Sequence, residues 1–206
     1  SPAVGANGVV YFGSHDRKFY ALAPDGTKQW EFAAGGQIVS SPAIGADGTI
    51  YFTAIHGRMF ALTPEGVKKW ELRTGSICES SPVLDARGII YLGLNDHAAA
   101  IHPEGKLLWR HHVGNPVDTA PAVGADGTIY FGSGFHLNAF TPEGKPLWRR
   151  YLEGFSATAP MISPEGILYL GGRWYQFFAI KATSGPADSP WPMFRRNLRH
   201  TGRAGD

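Results

Sequence analysis

The chain repeats itself five times, and that period constrains its fold more than any other feature. Prolines 2, 42, 82, 121 and 160 recur at steps of 40, 40, 39 and 39 residues. Glycines 8, 48, 88, 127 and 166 follow these prolines by six residues, and tyrosines 11, 51, 91, 130 and 169 follow the glycines by three. Trp30, Trp70, Trp109 and Trp148 close the first four units, and Trp191, displaced by a longer turn, is read as closing the fifth. A fixed period of this size marks a solenoid, a propeller or an array, because one unit cannot bury its apolar surface alone.

The second unit, residues 41–80, shows what is repeated. A short extended piece follows Pro42, and Ala46-Asp47-Gly48 is turn chemistry. Thr49–Thr53 (TIYFT) is β-branched and aromatic, Arg58–Thr63 (RMFALT) is a third extended run beyond it, and Pro64-Glu65-Gly66 is the next turn. Val67–Arg73 (VKKWELR) alternates polar and apolar residues like a half-exposed strand. Each unit therefore reads as a four-stranded antiparallel meander, A to D. Such sheets, apolar on both faces, must stack, and radial stacking leaves only short exposed edges. The expectation is an all-β, five-bladed β-propeller of four-stranded antiparallel blades with about 40 residues per blade. It forms a single domain over residues 1–206, with blades at 1–40, 41–80, 81–119, 120–158 and 159–206. The ring is expected to be closed and monomeric, with the tail from Trp191 as the last D strand, abutting blade one.

Composition excludes several classes. A net charge of +2 in 206 residues gives no general attraction to nucleic acid. The basic tail Arg195, Arg196, Arg199, His200 and Arg203 reads as a solvated chain end rather than a nucleic-acid site. No apolar run approaches the ~20 residues of a membrane span. The chain opens at Ser1 on a repeat boundary, as a processed or trimmed form would. The one cysteine, Cys78, occupies the place of Ile38, Val117 and Ser156 in other units, which makes it a small buried residue.

Comparison among the copies separates scaffold from candidate site. Turns and tryptophans alike in all copies serve blade geometry, and the A-B and C-D turns share one end of the meander. The divergent B-C loops and D-A connections share the other, where a rigid scaffold commonly carries function. Candidate binding residues there are His15, His56, Glu79, Asp118, Phe135, His136, Arg173, Trp174 and Tyr175. Arg173, Trp174 and Tyr175 are the residue types most enriched in interface hot spots. The loop histidines lie out of register, four to six residues after their tyrosines, so no metal site is expected. No nucleophile elbow, HExxH helix or P-loop is present, and no catalytic residues are assigned.

The pattern SPAxGADGTxYFGS…ALxPEGxxxW, clearest in Ser41–Trp70 and Pro121–Trp148, resembles the repeat of the pyrroloquinoline quinone (PQQ)-like β-propeller family. The closing segment, residues 191–202, is similar to one that accompanies these repeats. The resemblance spans the whole chain. The family includes quinone-dependent dehydrogenases and non-catalytic members that serve outer-membrane assembly. Its dehydrogenases are eight-bladed and hold the quinone with calcium, and many carry adjacent cysteines. Here there are five units, one cysteine, and acids mostly in solvent-facing turns (Asp25, Asp47, Glu65, Glu104, Asp126, Glu143, Glu165), without the roughly six to eight oxygen ligands calcium needs. The resemblance thus implies a non-enzymatic binding or scaffolding propeller without cofactor, whose partner is a protein or peptide on the B-C/D-A face. A small-ligand module for carbohydrate is the alternative, and an enzyme is third. The family implies a periplasmic or extracellular location.

Overall fold

The computed structural model describes residues 1–154, 158–172, 176–197 and 201–204. Blade one comprises β1 (Ala3–Val4), β2 (Val10–Gly13), β3 (Lys18–Leu22) and β4 (Lys28–Ala33). Blade two comprises β5 (Ala43–Ile44), β6 (Ile50–Ala54), β7 (Arg58–Leu62) and β8 (Lys68–Arg73). Blade three comprises β9 (Val83–Leu84), β10 (Ile90–Leu94), β11 (His97–Ile101) and β12 (Leu107–His112). Blade four comprises β13 (Ala122–Val123), β14 (Ile129–Ser133), β15 (His136–Phe140) and β16 (Pro146–Tyr151). Blade five has β17 (Met161–Ile162), β18 (Ile167–Gly171) and β19 (Phe177–Lys181). All neighbours are antiparallel and consecutive, in four sheets of four strands and one of three. The expected all-β, five-bladed propeller architecture is what the chain adopts.

The repeated turn residues work as their chemistry dictates. In blade two the Asp47 carboxylate accepts from the Thr49 backbone N–H at 3.0 Å and the Thr49 hydroxyl at 2.7 Å, and Gly48 follows with φ of 80°. That left-handed backbone suits glycine. A Cβ on Gly48 would meet Pro64 at 3.0 Å, which places the A-B and C-D turns of one blade side by side.

The tryptophans join successive blades. The Trp30 indole N–H donates to the Pro64 carbonyl at 2.9 Å, Trp70 to Pro103 at 2.6 Å and Trp109 to Pro142 at 2.7 Å. Each ring lies over the glycine of the turn it caps, Gly66, Gly105 or Gly144. Phe19 and Phe52 stack across the first seam with centroids 4.1 Å apart. Strands β6, β10 and β14 are consequently buried at every residue.

Blades one and five differ from the three between them. Along β3 the residues alternate between buried and half-buried, and along β19 Phe177, Ala179 and Lys181 are exposed while Ile180 is buried. Gly26, the blade-one counterpart of Gly66, has nothing within 4 Å of a Cβ position. The blade-one turn is therefore not capped by a tryptophan as the turns of blades two to four are.

The largest departure is the tail. Trp191 does not close blade five in a fourth strand. The chain leaves β19 and runs along the innermost strands: the Ala187 N–H donates to Val123 O at 2.9 Å, Leu84 N–H to Trp191 O at 2.7 Å, Val123 N–H to Pro192 O at 2.9 Å and Ala204 N–H to Val4 O at 2.7 Å. Pro186, Pro190 and Pro192 explain the failure, since a proline cannot donate to a ladder and this run could not edge a regular sheet. Trp191 and Met193 are each 2% exposed, and they enter different clusters, Trp191 with blades one to three and Met193 with blades four and five. The strap thus packs against all parts of the core.

Candidate functional site

Hydrogen bonds define the end of the molecule to which the divergent loops belong. The Ile55 N–H donates to Gln37 O at 2.8 Å and Val117 N–H to Asn95 O at 2.7 Å, which sets each B-C loop against a D-A connection. His15, His56, Glu79, Asp118 and Phe135 are exposed there, and His136 is half-buried. Arg173, Trp174 and Tyr175 lie outside the described residues, as does Ser156. His56 occupies the left-handed region with φ of 77°, a conformation its loop imposes at some strain.

The structure brings some of these residues together. Phe135, 44% exposed, and Tyr151, 60% exposed, have ring centroids 6.3 Å apart, and His136 meets the same tyrosine at 5.5 Å. Cross-strand pairing of His136 with Tyr151 in β15 and β16 makes this cluster. The Arg149 guanidinium donates to His136 Nδ1 at 3.2 Å. Burial and then the Arg149 charge hold the His136 pKa below its ordinary value, disfavouring the imidazolium. An exposed patch of two aromatic rings, an imidazole and an arginine results, with residue types suited to protein contact. Arg149 and Tyr151 were not anticipated, because they lie on a D strand whose tryptophan marks it as scaffold. The signal was present: β16 reads PLWRRY where β4 and β8 read KQWEFA and KKWELR.

Other candidates stay apart. Burial, and then the charge of Glu79, raises the Asp118 pKa, so these two carboxylates of successive connections sense each other. In blade three Asp96 bridges two imidazoles, at 2.6 Å to His97 Nδ1 and 3.1 Å to His112 Nε2. Among the described residues no three His, Cys, Asp or Glu side chains group as metal ligands. At the opposite end a cleft of about 590 Å³ opens between blades one and two and the strap, reached by Asn7, Tyr11, Asp188, Ser189 and Arg196. Sequence reasoning missed it because one side of its wall, Asp188, Ser189, Pro190, Arg196 and Ala204, belongs to the misplaced tail.

Five antiparallel sheets with tryptophan-capped seams define a PQQ-like repeat β-propeller. The sequence matches the family of outer membrane protein assembly factor BamB over residues 1–98 and 94–188, and the chain belongs to that family. Among solved structures it is similar to BamB from Moraxella catarrhalis, with 19% identity and a TM-score of 0.70 over 91% of this chain and 62% of that one. It is similar in fold to quinohemoprotein alcohol dehydrogenase from Comamonas testosteroni, with 15% identity and a TM-score of 0.71 over 89% of this chain and 42% of that one. A protein of unknown function from Bacteroides caccae gives 16% identity and a TM-score of 0.62, covering 91% and 80% of the two chains. The chain therefore spans less than two thirds of the length of its BamB neighbour. No curated protein matches it in sequence. No helix is long and apolar enough to cross a membrane among the described residues.

Proposed function

We propose that this protein is a non-catalytic interaction scaffold that holds a protein or peptide partner on its B-C/D-A face, with blade four as the contact. The carrying observation is the exposed cluster of Phe135, His136, Arg149 and Tyr151, which no blade needs for its own packing. Family membership supports a partner engaged in outer-membrane protein assembly, and with it a periplasmic setting. The same membership favours binding over catalysis.

The test is partner capture from a periplasmic extract onto immobilised protein, followed by identification of what is retained. Phe135→Ala combined with Tyr151→Ala is expected to weaken capture by about 2 kcal/mol or more, the scale of a hot-spot pair. Thermal stability should hardly change, because both side chains are exposed. Undiminished capture by the folded double variant would remove blade four from the interface.

A further inference from the structure

Among the described residues, blade five has an unfilled strand position. In blades one to four the C strand is flanked by a D strand, whereas β19 is the edge of a three-stranded sheet. The backbone shows which groups are left over. Gly172 N–H donates to Gln176 O and Ala182 N–H to Gly166 O, both at 2.8 Å, so Gln176 and Ala182 face β18. By alternation Phe177, Ala179 and Lys181 direct their N–H and C=O groups outward, and no described strand pairs with them. A row of open backbone groups of this kind is a template for strand addition.

The surroundings of this edge say what would fill it. In the four complete blades the D-strand tryptophan packs on the blade tyrosine, with centroids 5.9, 5.9, 6.1 and 5.9 Å apart. The tryptophan pairs with the small residue opposite that tyrosine, as Trp30 does with Ala21 and Trp70 with Ala61. Ala179 is the equivalent residue of blade five, paired with Tyr169. Tyr169 and Phe177 stack at 5.6 Å on this face, and Phe177 is 66% exposed. Beside the edge lies a cleft of about 420 Å³ lined by Trp148, Arg149, Arg150, Ile180 and Lys181. Three of those five side chains are cationic. Trp148, unlike its three counterparts, finds no carbonyl acceptor among the described residues for its indole N–H, because the turn that should supply one has been drawn inward with the strap.

From these features we infer that β19 is a docking edge for an extended segment of a partner polypeptide with an acidic residue beside an aromatic one, which pairs antiparallel with β19 as the fourth strand of blade five. An aromatic side chain of that segment sits opposite Ala179, against Tyr169 and Phe177. An acidic neighbour faces Arg149 and Arg150. An apolar residue two beyond the aromatic lies opposite Phe177. The chain's own β4, KQWEFA, has this pattern, with Trp30 opposite Ala21, Glu31 opposite Tyr20 and Phe32 opposite Phe19. The edge shares Arg149 with the blade-four cluster but neither Phe135 nor Tyr151, so Phe135→Ala with Tyr151→Ala removes the blade-four contact and leaves the edge intact.

A labelled synthetic peptide with the β4 sequence is the probe, read by fluorescence anisotropy against the full chain, with light scattering to give the oligomeric state. Saturable binding to a monomer is expected. The tryptophan-to-alanine peptide should bind about tenfold more weakly, a loss of one contact worth 1.4 kcal/mol. A peptide with lysine in place of glutamate should also lose affinity, more at low salt than at high salt. In a ladder with the register of β4, the phenylalanine amide faces β19 and the glutamate amide faces away. N-methylation at phenylalanine should therefore abolish binding, and N-methylation at glutamate should leave it. Hydrogen exchange at Phe177, Ala179 and Lys181 should be fast in the free protein and slowed by peptide. Ala179→Pro should remove binding, and because that variant could misfold, the two N-methyl peptides carry the decision. The inference is overturned if no saturable binding occurs, if both N-methyl peptides behave alike, or if the three amides are already protected in the free protein. A dimer through β19 that peptide does not dissociate would assign the edge to a second copy and overturn it equally.

Discussion

Alanine at Gly105 measures what one tryptophan seam contributes. Gly105 has φ of +84° and a Cβ there would lie 2.7 Å from Trp70 Cδ2, whereas Gly26 has φ of +87° and open space around it. Both Gly→Ala variants incur the left-handed strain of an L-residue, about 1–2 kcal/mol. Only Gly105→Ala also forces the ring away. Overpacking costs about 1–3 kcal/mol, and displacement endangers the 2.6 Å bond from Trp70 to the Pro103 carbonyl, which contributes about 0.5–1.5 kcal/mol. Gly105→Ala should therefore lose about 2 kcal/mol more than Gly26→Ala in urea titrations, within the range expected for an overpacked site. A double-mutant cycle guards against fraying of the end blade. In a Trp70→Ala background the penalty at Gly105 should fall to that at Gly26, for a coupling of about 2 kcal/mol between contacting residues. Equal penalties at the two glycines, or coupling under about 0.5 kcal/mol, would refute the view that ring and turn form one packed joint.

Three further outcomes are expected. Trp191→Ala should cost about 3–5 kcal/mol, the loss for a buried aromatic, since Trp191 is 2% exposed; a loss typical of a surface residue would place the strap outside the core. Burial pushes the Cys78 thiol up to about 12, so it should resist alkylation at pH 8 in the native protein and react once denaturant is added, whereas rapid native labelling would contradict its position. The raised Asp118 pKa means that its contribution to stability is intact below the ordinary value of 3.8 and is lost as pH rises through the higher folded value. Asp118→Asn should therefore gain melting temperature relative to the parent as pH increases across that window, and the opposite trend would show that the carboxylate is stabilised.

Much of the fold was legible because the period repeats independent signals together. Proline, glycine, tyrosine and tryptophan recur in one register, and each has a local role that the structure displays, such as the Gly48 turn and the Trp70 bond to Pro103. The fifth unit misled because it keeps a tryptophan while losing the strand. Trp191 lies between two prolines, and that local chemistry outweighed the count of residues from the unit start. The divergence of its loops marked the candidate face in the sequence, and Phe135 and His136 were among the residues it singled out. Arg149 and Tyr151 were not, since their role depends on cross-strand register between β15 and β16, which no spacing in a single segment reveals. The β19 edge was hidden for the same reason as the strap, because each follows from where Trp191 does not go.

The strap also sets an order of assembly. Its residues follow the nineteen described strands, yet they bond to Val4, Leu84 and Val123, whose separations span most of the sequence. Blades can form from contacts made within about 40 residues, as repeat units do. The strap's contacts close loops of much longer range, which makes them slow to form. During synthesis the inner strands emerge and fold before the segment that covers them exists. Until it arrives, the inward surfaces of blades one, three and four wait uncovered, a state open to misassociation. The strap then acts as a keystone, converting a row of neighbouring blades into a unit in which Val4 and Ala204, two hundred positions apart, hold each other in place.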